Sequence, residues 1–335
     1  MSESGDYDPG PWKGHDFGTA RKAYDVHAGR SYDDAVNKGK TNADLIAPKL
    51  TTDSPSPLIV FFDVTGSMGE WPAVICSKLP YLDIEGKEYL GKKMAICFGA
   101  FGDANSDTYP LQGRPFATGL ELKERLKELV VEGNGGGQLH ETSELAALYC
   151  ARNIETPKAV HKPILVLITD EKPYDYVTKD QAQRYAHVRL EGSRLDTSKI
   201  FDEIKDKYAC YLLLKPYDAG RGDSMSANSK AVYETWLEHF DAEHIALLPD
   251  PNRVVDVIFG ILAKETNRVA YFRGEIEDRQ KPEQVDTAYK ALKTIHALPA
   301  ATDDGTDDDG KKGGHTGKSI MRTTGKGGKK TKPLL

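Results

Sequence analysis

Three oxygen-bearing side chains follow an apolar run early in the chain, in the segment LIVFFDVTGSMGE of Leu58–Glu70. Five consecutive apolar residues without alternation are typical of a strand that is covered on both faces. In open α/β sheets, ligands bind outside the carboxyl ends of the strands, where Asp63, Thr65 and Ser67 would lie. One carboxylate and two hydroxyls are hard oxygen donors, which suit Mg²⁺ or Mn²⁺ better than zinc or copper. The segment therefore predicts a divalent-cation site at a strand end.

Two later segments extend this pattern. Ile164–Asp170, with the sequence ILVLITD, is again an apolar strand that ends in an aspartate. Gly133–Thr142, with the sequence GNGGGQLHET, is a glycine-rich loop that runs directly into the helical pattern SELAALYCAR. If both strands belong to one parallel sheet, their carboxyl ends meet at the same edge. The chain therefore offers three separate contributions to one site.

The motif DVTGSMG resembles the Asp-x-Ser-x-Ser element of von Willebrand factor A domains, with Thr65 in place of the first serine. In that family the element is the first part of a metal-ion-dependent adhesion site. The other two parts are a hydroxyl in a glycine-rich loop and an aspartate after a later strand, as in the segments above. The resemblance implies that Thr65, Ser67 and a loop group contact the ion, while Asp63 and Asp170 ligate it directly or through water. A decayed site that keeps the fold without binding an ion is the alternative.

The loop contribution is ambiguous, because Glu141 and Thr142 are adjacent and either can occupy the position of the family's threonine. If Glu141 is the ligand, the ion gains a negative charge and becomes a weaker acceptor for an outside carboxylate. Both residues therefore stay candidate ligands.

A further segment, GAFGDANSD (Gly99–Asp107), follows the second predicted strand. It resembles a Gly-Asp-Ala element in an intracellular bacterial and phage group of von Willebrand A proteins, which also share a signature like this chain's GGGQLHETSELA. Asp103 is then either an outer group that supports the metal ligands or an ordinary turn aspartate.

Strand and helix patterns alternate between residues 57 and 266, which indicates crossover connections and a largely parallel sheet. The sequence predicts a three-layer, doubly wound, Rossmann-like α/β sandwich, and the resemblance assigns these residues to a single von Willebrand A domain. The predicted strands are Leu58–Phe62, Met94–Ala100, Ile164–Thr169, Tyr208–Leu214 and His244–Leu248, with an edge segment near Pro115–Ala117.

The flanks differ from this domain in composition. Residues 1–56 hold few apolar side chains and are expected to form an arm that is partly ordered at most. Residues 267–297 are expected to contribute one helix, Pro282–His296. Residues 298–335 run from aspartates to lysines among glycines, a composition that predicts disorder. Lys326, Lys329 and Lys330 belong to this tail, which is either a solvated segment or a nonspecific clamp on nucleic acid.

Composition excludes several classes of protein. The chain has 335 residues, 39% of them apolar, a net charge of -6, and no run of about 18 apolar residues that would predict a membrane span. Its first residues lack the pattern of a signal peptide, so a cytoplasmic location is expected. The four cysteines, Cys76, Cys97, Cys150 and Cys210, lie in apolar runs without metal-ligand spacing and are expected to be buried and reduced.

No catalytic residue is predicted. Phosphatases of the haloacid dehalogenase type need a second carboxylate where this chain has Thr65, and no phosphate-binding loop with its lysine is present. His140 in the glycine-rich loop is the histidine nearest the predicted site. The chain is therefore interpreted as a binding protein and not an enzyme.

The resemblance implies a metal-dependent adaptor module, in which an aspartate or glutamate from a protein partner completes the shell of a Mg²⁺ or Mn²⁺ ion. Intracellular bacterial relatives serve AAA+ ATPases of the MoxR type or stress-related assemblies, which makes such an ATPase a candidate partner. The alternative function is a structural or virion-associated scaffold whose arms make the assembly contacts. No membrane partner is expected, and nucleic acid is a candidate only through the basic tail.

Overall fold

The computed structural model describes residues 30–69, 71–133, 139–217 and 225–295. Its strands, numbered in chain order, are β1 (Leu50–Thr51), β2 (Pro57–Asp63), β3 (Ala95–Phe101), β4 (Leu111–Gly113), β5 (Ile154–Glu155), β6 (Ile164–Thr169), β7 (Tyr176–Thr178), β8 (Arg194–Asp196), β9 (Ala209–Leu214) and β10 (Ile245–Leu247).

The α-helices are α1 (Arg30–Asn37), α2 (Asn42–Leu45), α3 (Trp71–Lys78), α4 (Tyr81–Leu90), α5 (Glu121–Lys127), α6 (Ser143–Asn153), α7 (Lys179–Tyr185), α8 (Thr197–Lys207), α9 (Ala227–Leu237), α10 (Val254–Glu265), α11 (Val269–Arg279) and α12 (Pro282–Leu292). Short 3-10 turns occupy Gly66–Met68, Ala242–His244 and Pro251–Arg253.

Six strands form the central sheet in the order β10-β9-β6-β2-β3-β4. The first five are mutually parallel, and β4 pairs antiparallel with β3 at the edge. The chain leaves β2 for β3 on one side and later returns to place β6 on the other side. The strand order therefore reverses between β2 and β6, which is the position where open α/β sheets bind ligands.

Strand β2 explains the layering, because all seven of its residues are buried. Successive side chains of a strand point to opposite faces. Leu58, Val60 and Phe62 belong to a core cluster that includes residues of α3, α4, α10 and α12. Ile59 and Phe61 belong to a second cluster with residues of α6, α7 and α8. The protein is thus a three-layer, Rossmann-like α/β sandwich, and the predicted fold class is confirmed.

The five predicted core strands are present with small shifts at their ends. The edge strand differs, since β4 lies a few residues before Pro115–Ala117, and Ala117 forms only an isolated bridge to Ile96. The apolar residues that follow the first motif, up to Leu82, suit a single helix, but they form α3 and the start of α4, which are separated at Leu79 and Pro80. Proline lacks the N–H that a helix interior requires, so one helix ends and another begins there.

Part of the predicted N-terminal arm lies in the described ranges and packs on the domain. Leu45, Ile46 and Leu50 are buried, and Ile46 forms a bridge to Gly113 at the sheet edge. Strand β1 pairs in parallel with β5. Residues 1–29 lie outside the described residues.

The segment after α10 needs a correction, because it holds two helices where one was predicted. Helix α12 begins at Pro282 as predicted and ends at Leu292, before the predicted end at His296, whereas α11 was missed. Five of the eleven residues of α11 are charged and only Phe272 and Ile276 are buried, so its sequence has little apolar periodicity. The tail prediction, including Lys326, Lys329 and Lys330, falls outside the described residues.

Two further predictions concern cysteines and membranes. All four cysteines are free and buried, as expected. None of the helices in the described ranges has the length and apolar character that a membrane span requires.

Candidate functional site

Asp63 is the last residue of β2 and is completely buried. Its Oδ1 accepts hydrogen bonds from the backbone N–H of Thr65, at 2.8 Å, and from the Thr65 hydroxyl, at 2.6 Å. Its Oδ2 accepts a hydrogen bond from the Thr169 hydroxyl, at 2.9 Å. The carboxylate is therefore held by both its own turn and the end of β6.

Ser67 connects this aspartate to the second one. Its Oγ lies 3.1 Å from Oγ1 of Thr65 and donates a hydrogen bond to Oδ1 of Asp170, at 2.9 Å. Asp170 follows β6 directly and is also completely buried. Four predicted ligands, Asp63, Thr65, Ser67 and Asp170, thus lie side by side, because each hydroxyl donates to one aspartate and the two hydroxyl oxygens are in contact.

The local sequence explains why the two hydroxyls turn back towards the strand ends. The backbone N–H of Val64 still bonds to β3, at the carbonyl of Phe101, and the chain then enters the 3-10 turn Gly66–Met68. Gly69 ends that turn with a φ of 58°. Because residues with a Cβ rarely adopt this conformation, glycine favours the tight reversal that keeps Thr65 and Ser67 beside Asp63.

The glycine-rich loop contributes its last residues, since Asn134–Gln138 lie outside the described residues. The Thr142 hydroxyl donates a hydrogen bond to the carbonyl of Gly102, at 2.5 Å, and accepts one from the backbone N–H of Ala104, at 3.2 Å. Thr142 therefore ties the loop to the segment after β3 and makes no hydrogen bond to Asp63 or Asp170.

Glu141 behaves differently from its neighbour. Its side chain is only 4% exposed, and its Oε2 is buried without a hydrogen-bond partner. The carboxylates of Asp63, Asp103 and Asp107 act on it electrostatically. A buried acceptor without a donor is costly unless a cation or a proton compensates it. Of the two loop candidates, Glu141 is therefore the one whose side chain has an oxygen without a partner, which a cation could use as a ligand.

Asp103 makes the hydrogen bonds of a turn aspartate. Its Oδ1 accepts from the backbone N–H of Asn105, at 3.0 Å, and from the hydroxyl of Tyr174, at 3.2 Å. Its own N–H donates to Oδ2 of Asp107, at 2.8 Å. Asp103 is linked to the site through Thr142, which accepts a hydrogen bond from Ala104. His140 lies on the same side, with its ring stacked on that of Tyr174 at a centroid distance of 5.3 Å.

Two site residues were not found from the sequence. Lys215 follows β9, and its Nζ donates to Oδ2 of Asp170, at 2.7 Å, and to the carbonyl of Ser67, at 2.8 Å. Thr169 holds Asp63 as described above. The available signal was positional, because Thr169 lies at the carboxyl end of β6, next to β2, and Lys215 follows β9, the next strand beyond β6. The same position at a strand end identified Asp63 and Asp170.

The ionisation of the site reflects its burial. Burial, reinforced by the negative charge of Asp170, raises the pKa of Asp63 to about 8 despite the hydrogen bonds that it accepts. Burial, followed by the charge of Asp63, raises the pKa of Glu141 to about 11. Burial also raises the pKa of Glu171, the residue after Asp170, to about 7. All three pKa values are raised, as expected for buried acidic groups that lie close together without enough positive charge to compensate them.

The donor set determines which ion these residues suit. In the described ranges, no three His, Cys, Asp or Glu side chains converge closely enough to hold a metal ion by themselves. An ion at this edge would therefore depend on the hydroxyls of Thr65 and Ser67 beside the carboxylates of Asp63 and Asp170. Such an all-oxygen set fits Mg²⁺ or Mn²⁺.

Comparison with known proteins gives little further information. No family model matches the chain, and no curated protein matches it either. Two crystal structures of the pilus adhesin SpaC from Lactobacillus rhamnosus GG are similar at a TM-score of 0.43 each, with 12% and 10% identity. They cover 69% and 71% of this chain, and this chain spans 31% of the adhesin in each case. A likeness at this TM-score identifies neither a family nor a function.

Proposed function

We propose that this chain is a metal-dependent protein-binding module of the von Willebrand A type. The observation that supports this proposal best is the contiguous set of Asp63, Thr65, Ser67 and Asp170 at the point where the strand order reverses. Each hydroxyl donates to one of the two aspartates, and the hydroxyl oxygens lie 3.1 Å apart. These residues come from two segments about a hundred positions apart, and each follows the predicted motif. Two strands that end near each other by chance would not be expected to bring together two carboxylates and two hydroxyls in this way.

The proposed roles follow from the chemistry of each side chain. Asp63 and Asp170 supply negative charge, and Thr65 and Ser67 supply neutral oxygens. Glu141 supplies a further negative charge from the loop. The bound Mg²⁺ or Mn²⁺ ion would supply a coordination position that an aspartate or glutamate of a protein partner can fill. Buried surroundings strengthen such charge-based contacts relative to water.

Binding is proposed and catalysis is not, because the residue types of the site suit coordination. Position 65 carries a hydroxyl in place of the second carboxylate that a phosphatase of the haloacid dehalogenase type would use. The Thr65 hydroxyl is also engaged by Asp63. The resemblance extends the proposal to a cytoplasmic adaptor whose partner is a MoxR-type AAA+ ATPase or a stress-related assembly.

A scaffold without a metal is the second candidate, and Lys215 is the observation that favours it. The Lys215 ammonium already contacts Asp170 at 2.7 Å and compensates part of the negative charge at the site. Under this alternative the arms make the assembly contacts, and the strand-end aspartates serve only the fold.

A metal titration tests the proposal. Calorimetry with MgCl₂ and MnCl₂ is expected to show saturable binding to the full chain and none to Asp63→Ala. Asp63→Asn keeps the size of the side chain and is the second variant, in case the alanine variant does not fold by circular dichroism. The matched control is Asp206→Ala, which removes an exposed aspartate of α8 and is expected to bind like wild type. Equal binding by wild type and both Asp63 variants would contradict the site assignment.

Capture of partners from a cell lysate then separates the two candidates. A partner held by wild type in Mg²⁺, but not in EDTA and not by Asp63→Ala, would support the adhesion-type mechanism. A partner held equally in all three conditions would favour the scaffold.

A further inference from the structure

The Lys215 side chain is held in place at the candidate site by several contacts. It follows β9, which lies next to β6 in the sheet, so its side chain starts from the same edge as Asp170. Its Nζ makes two hydrogen bonds, to Oδ2 of Asp170 and to the carbonyl of Ser67. The side chain is 14% exposed and the carboxylate that it contacts is completely buried.

Aromatic rings enclose the same ammonium. Its Nζ lies 5.7 Å from the centroid of the Trp71 ring and 5.9 Å from that of Tyr217. Ring faces attract cations within about 6 Å. A carboxylate, a carbonyl and two rings therefore surround Lys215, which is the environment of a bound cation and not that of a lysine that extends into solvent.

The contacts of Lys215 overlap with those expected of a metal ion. Asp170 is a proposed metal ligand, and Ser67 contributes its hydroxyl to the proposed donor set and its carbonyl to the lysine. An ammonium and a divalent ion that share a buried carboxylate repel each other strongly, since the repulsion of like charges is poorly screened there. One carboxylate cannot satisfy both cations without loss of affinity for one of them.

We propose that Lys215 is an internal cation that competes with the divalent ion for Asp170 and so sets the metal affinity of the site. This inference rests on the proposed function and adds its regulation. In the metal-free protein the ammonium compensates Asp170, and metal binding requires that the ammonium leave this carboxylate.

The competition also connects the site to the surface beside it. Tyr217, two residues after Lys215, donates its hydroxyl to Oε1 of Glu171. Tyr217 is 37% exposed, and Glu171 directly follows Asp170. Lys215 thus lies two residues from a partly exposed tyrosine that is anchored next to the second strand-end aspartate.

Neutral substitutions of the lysine test this proposal. Lys215→Met and Lys215→Gln both remove the positive charge. The glutamine also keeps a hydrogen-bond donor, so the Asp170 carboxylate retains a partner in that variant. Calorimetric titration of the EDTA-treated full chain with MgCl₂ and MnCl₂ is expected to show an affinity at least about tenfold higher for both variants than for wild type. Lys215→Arg keeps the charge and is expected to stay within about threefold of wild type.

Lys158→Met is the matched control, because it removes the same charge from a surface pair with Asp53, near the start of β2 and away from the carboxyl edge. Thermal unfolding provides a second readout. A lysine with a purely structural role would lower the unfolding temperature equally with and without Mg²⁺. Competition predicts instead that the neutral variants lose stability in EDTA and regain more of it in Mg²⁺ than wild type does.

Each outcome separates this inference from the proposed function. If wild type and Lys215→Gln bind Mg²⁺ equally, the metal site stands and the competition is refuted. If wild type does not bind but Lys215→Gln does, the lysine replaces the ion and the proposed function fails, while the competition is supported. If none of the chains binds, both ideas are refuted.

Discussion

Individual acidic residues in this protein differ in how their charge is compensated. Asp63 receives three hydrogen bonds and Asp170 receives an ammonium, whereas Oε2 of Glu141 receives nothing. Buried carboxylates without a partner prefer to hold a proton, which is one reason why the pKa of Glu141 is raised to about 11. A nearby cation would therefore favour the ionised form of this residue.

The two loop candidates can be separated by paired substitutions. Glu141→Gln removes a carboxyl group that a bound cation would ionise, so we expect Mg²⁺ affinity to fall by at least about tenfold. Stability in EDTA should change little, because the carboxyl group holds a proton in the metal-free protein. Thr142→Val removes a hydroxyl that bonds to Gly102 and Ala104, so we expect a loss of about 1–3 kcal/mol in the free energy of unfolding and little change in affinity. Calorimetry and urea unfolding measure the two effects. The reverse assignment of effects would make Thr142 the loop ligand.

A second prediction at this scale concerns Asp107. Burial, with a smaller contribution from the charge of Glu132, raises its pKa to about 6 from an ordinary value of 3.8. Because the folded state binds the proton more tightly than the unfolded state, the stability contributed by this group is fully present below about pH 4 and is lost as the pH rises through about 6. Asp107→Asn should therefore gain stability relative to wild type by on the order of 1–3 kcal/mol between pH 4.5 and pH 7.5.

Urea unfolding in EDTA at both pH values measures this difference. Asp206→Asn, on the exposed side of α8, is the control and should shift little relative to wild type. A constant difference between Asp107→Asn and wild type across this pH range would contradict the titration of Asp107.

At the scale of secondary-structure elements, the position of Asp63 depends on the close pairing of β2 and β3. Gly99 on β3 pairs with Phe61 on β2, and a Cβ built at Gly99 would lie 2.2 Å from the Phe61 ring. The ring thus lies over the glycine, and a larger residue there requires a shift of the Phe61 ring or of one of the two strands.

Gly99→Ala is accordingly expected to destabilise the domain by about 1–3 kcal/mol, the usual cost of overpacking a core. The matched control is Gly274→Ala in α11, where a Cβ would meet nothing within 4 Å. That substitution should stabilise the protein by up to about 1 kcal/mol, since alanine favours a helix over glycine. Urea unfolding of both variants checks the prediction, and a neutral Gly99→Ala would mean that the strand pair yields easily.

At the scale of the whole molecule, the core extends beyond the α/β alternation. Helix α12 packs on α10, where Leu292 is completely buried and its side chain fills the space above Gly260. Burial of Val285 and Ala288 on the same helix shows that α12 covers one face of the sandwich. The segment after the last crossover helix is therefore part of the folded unit.

Leu292→Ala should cost about 2–5 kcal/mol, because it leaves a cavity in this packed face. Leu237→Ala removes a leucine that is 41% exposed at the end of α9 and should change stability by no more than about 0.5 kcal/mol. Chemical unfolding followed by circular dichroism compares the two. Similar small effects at both positions would show that α12 contributes little to the core.

The sequence determined the central sheet and most of the strand-end site. Unbroken apolar runs that end in Asp63 and Asp170 identify buried parallel strands, since local composition alone separates a strand covered on both faces from a half-exposed one. The turn residues between Asp63 and Ser67 are likewise local, so their hydrogen bonds could be anticipated from their spacing. Helix α11 was missed because its charged residues hide the apolar periodicity.

Only the tertiary structure decided which distant groups meet. The contact between Ser67 and Asp170 spans 103 positions and that between Asp170 and Lys215 spans 45. Both depend on the strand order β9-β6-β2, which no local pattern encodes. The same is true of the loop, where adjacent residues diverge and Thr142 bonds to the segment after β3 while Glu141 is left without a donor. Composition and periodicity determine the secondary structure of one segment, because that depends on residues close together in the sequence. Charge compensation depends on residues that are distant in the sequence and that the sheet brings together.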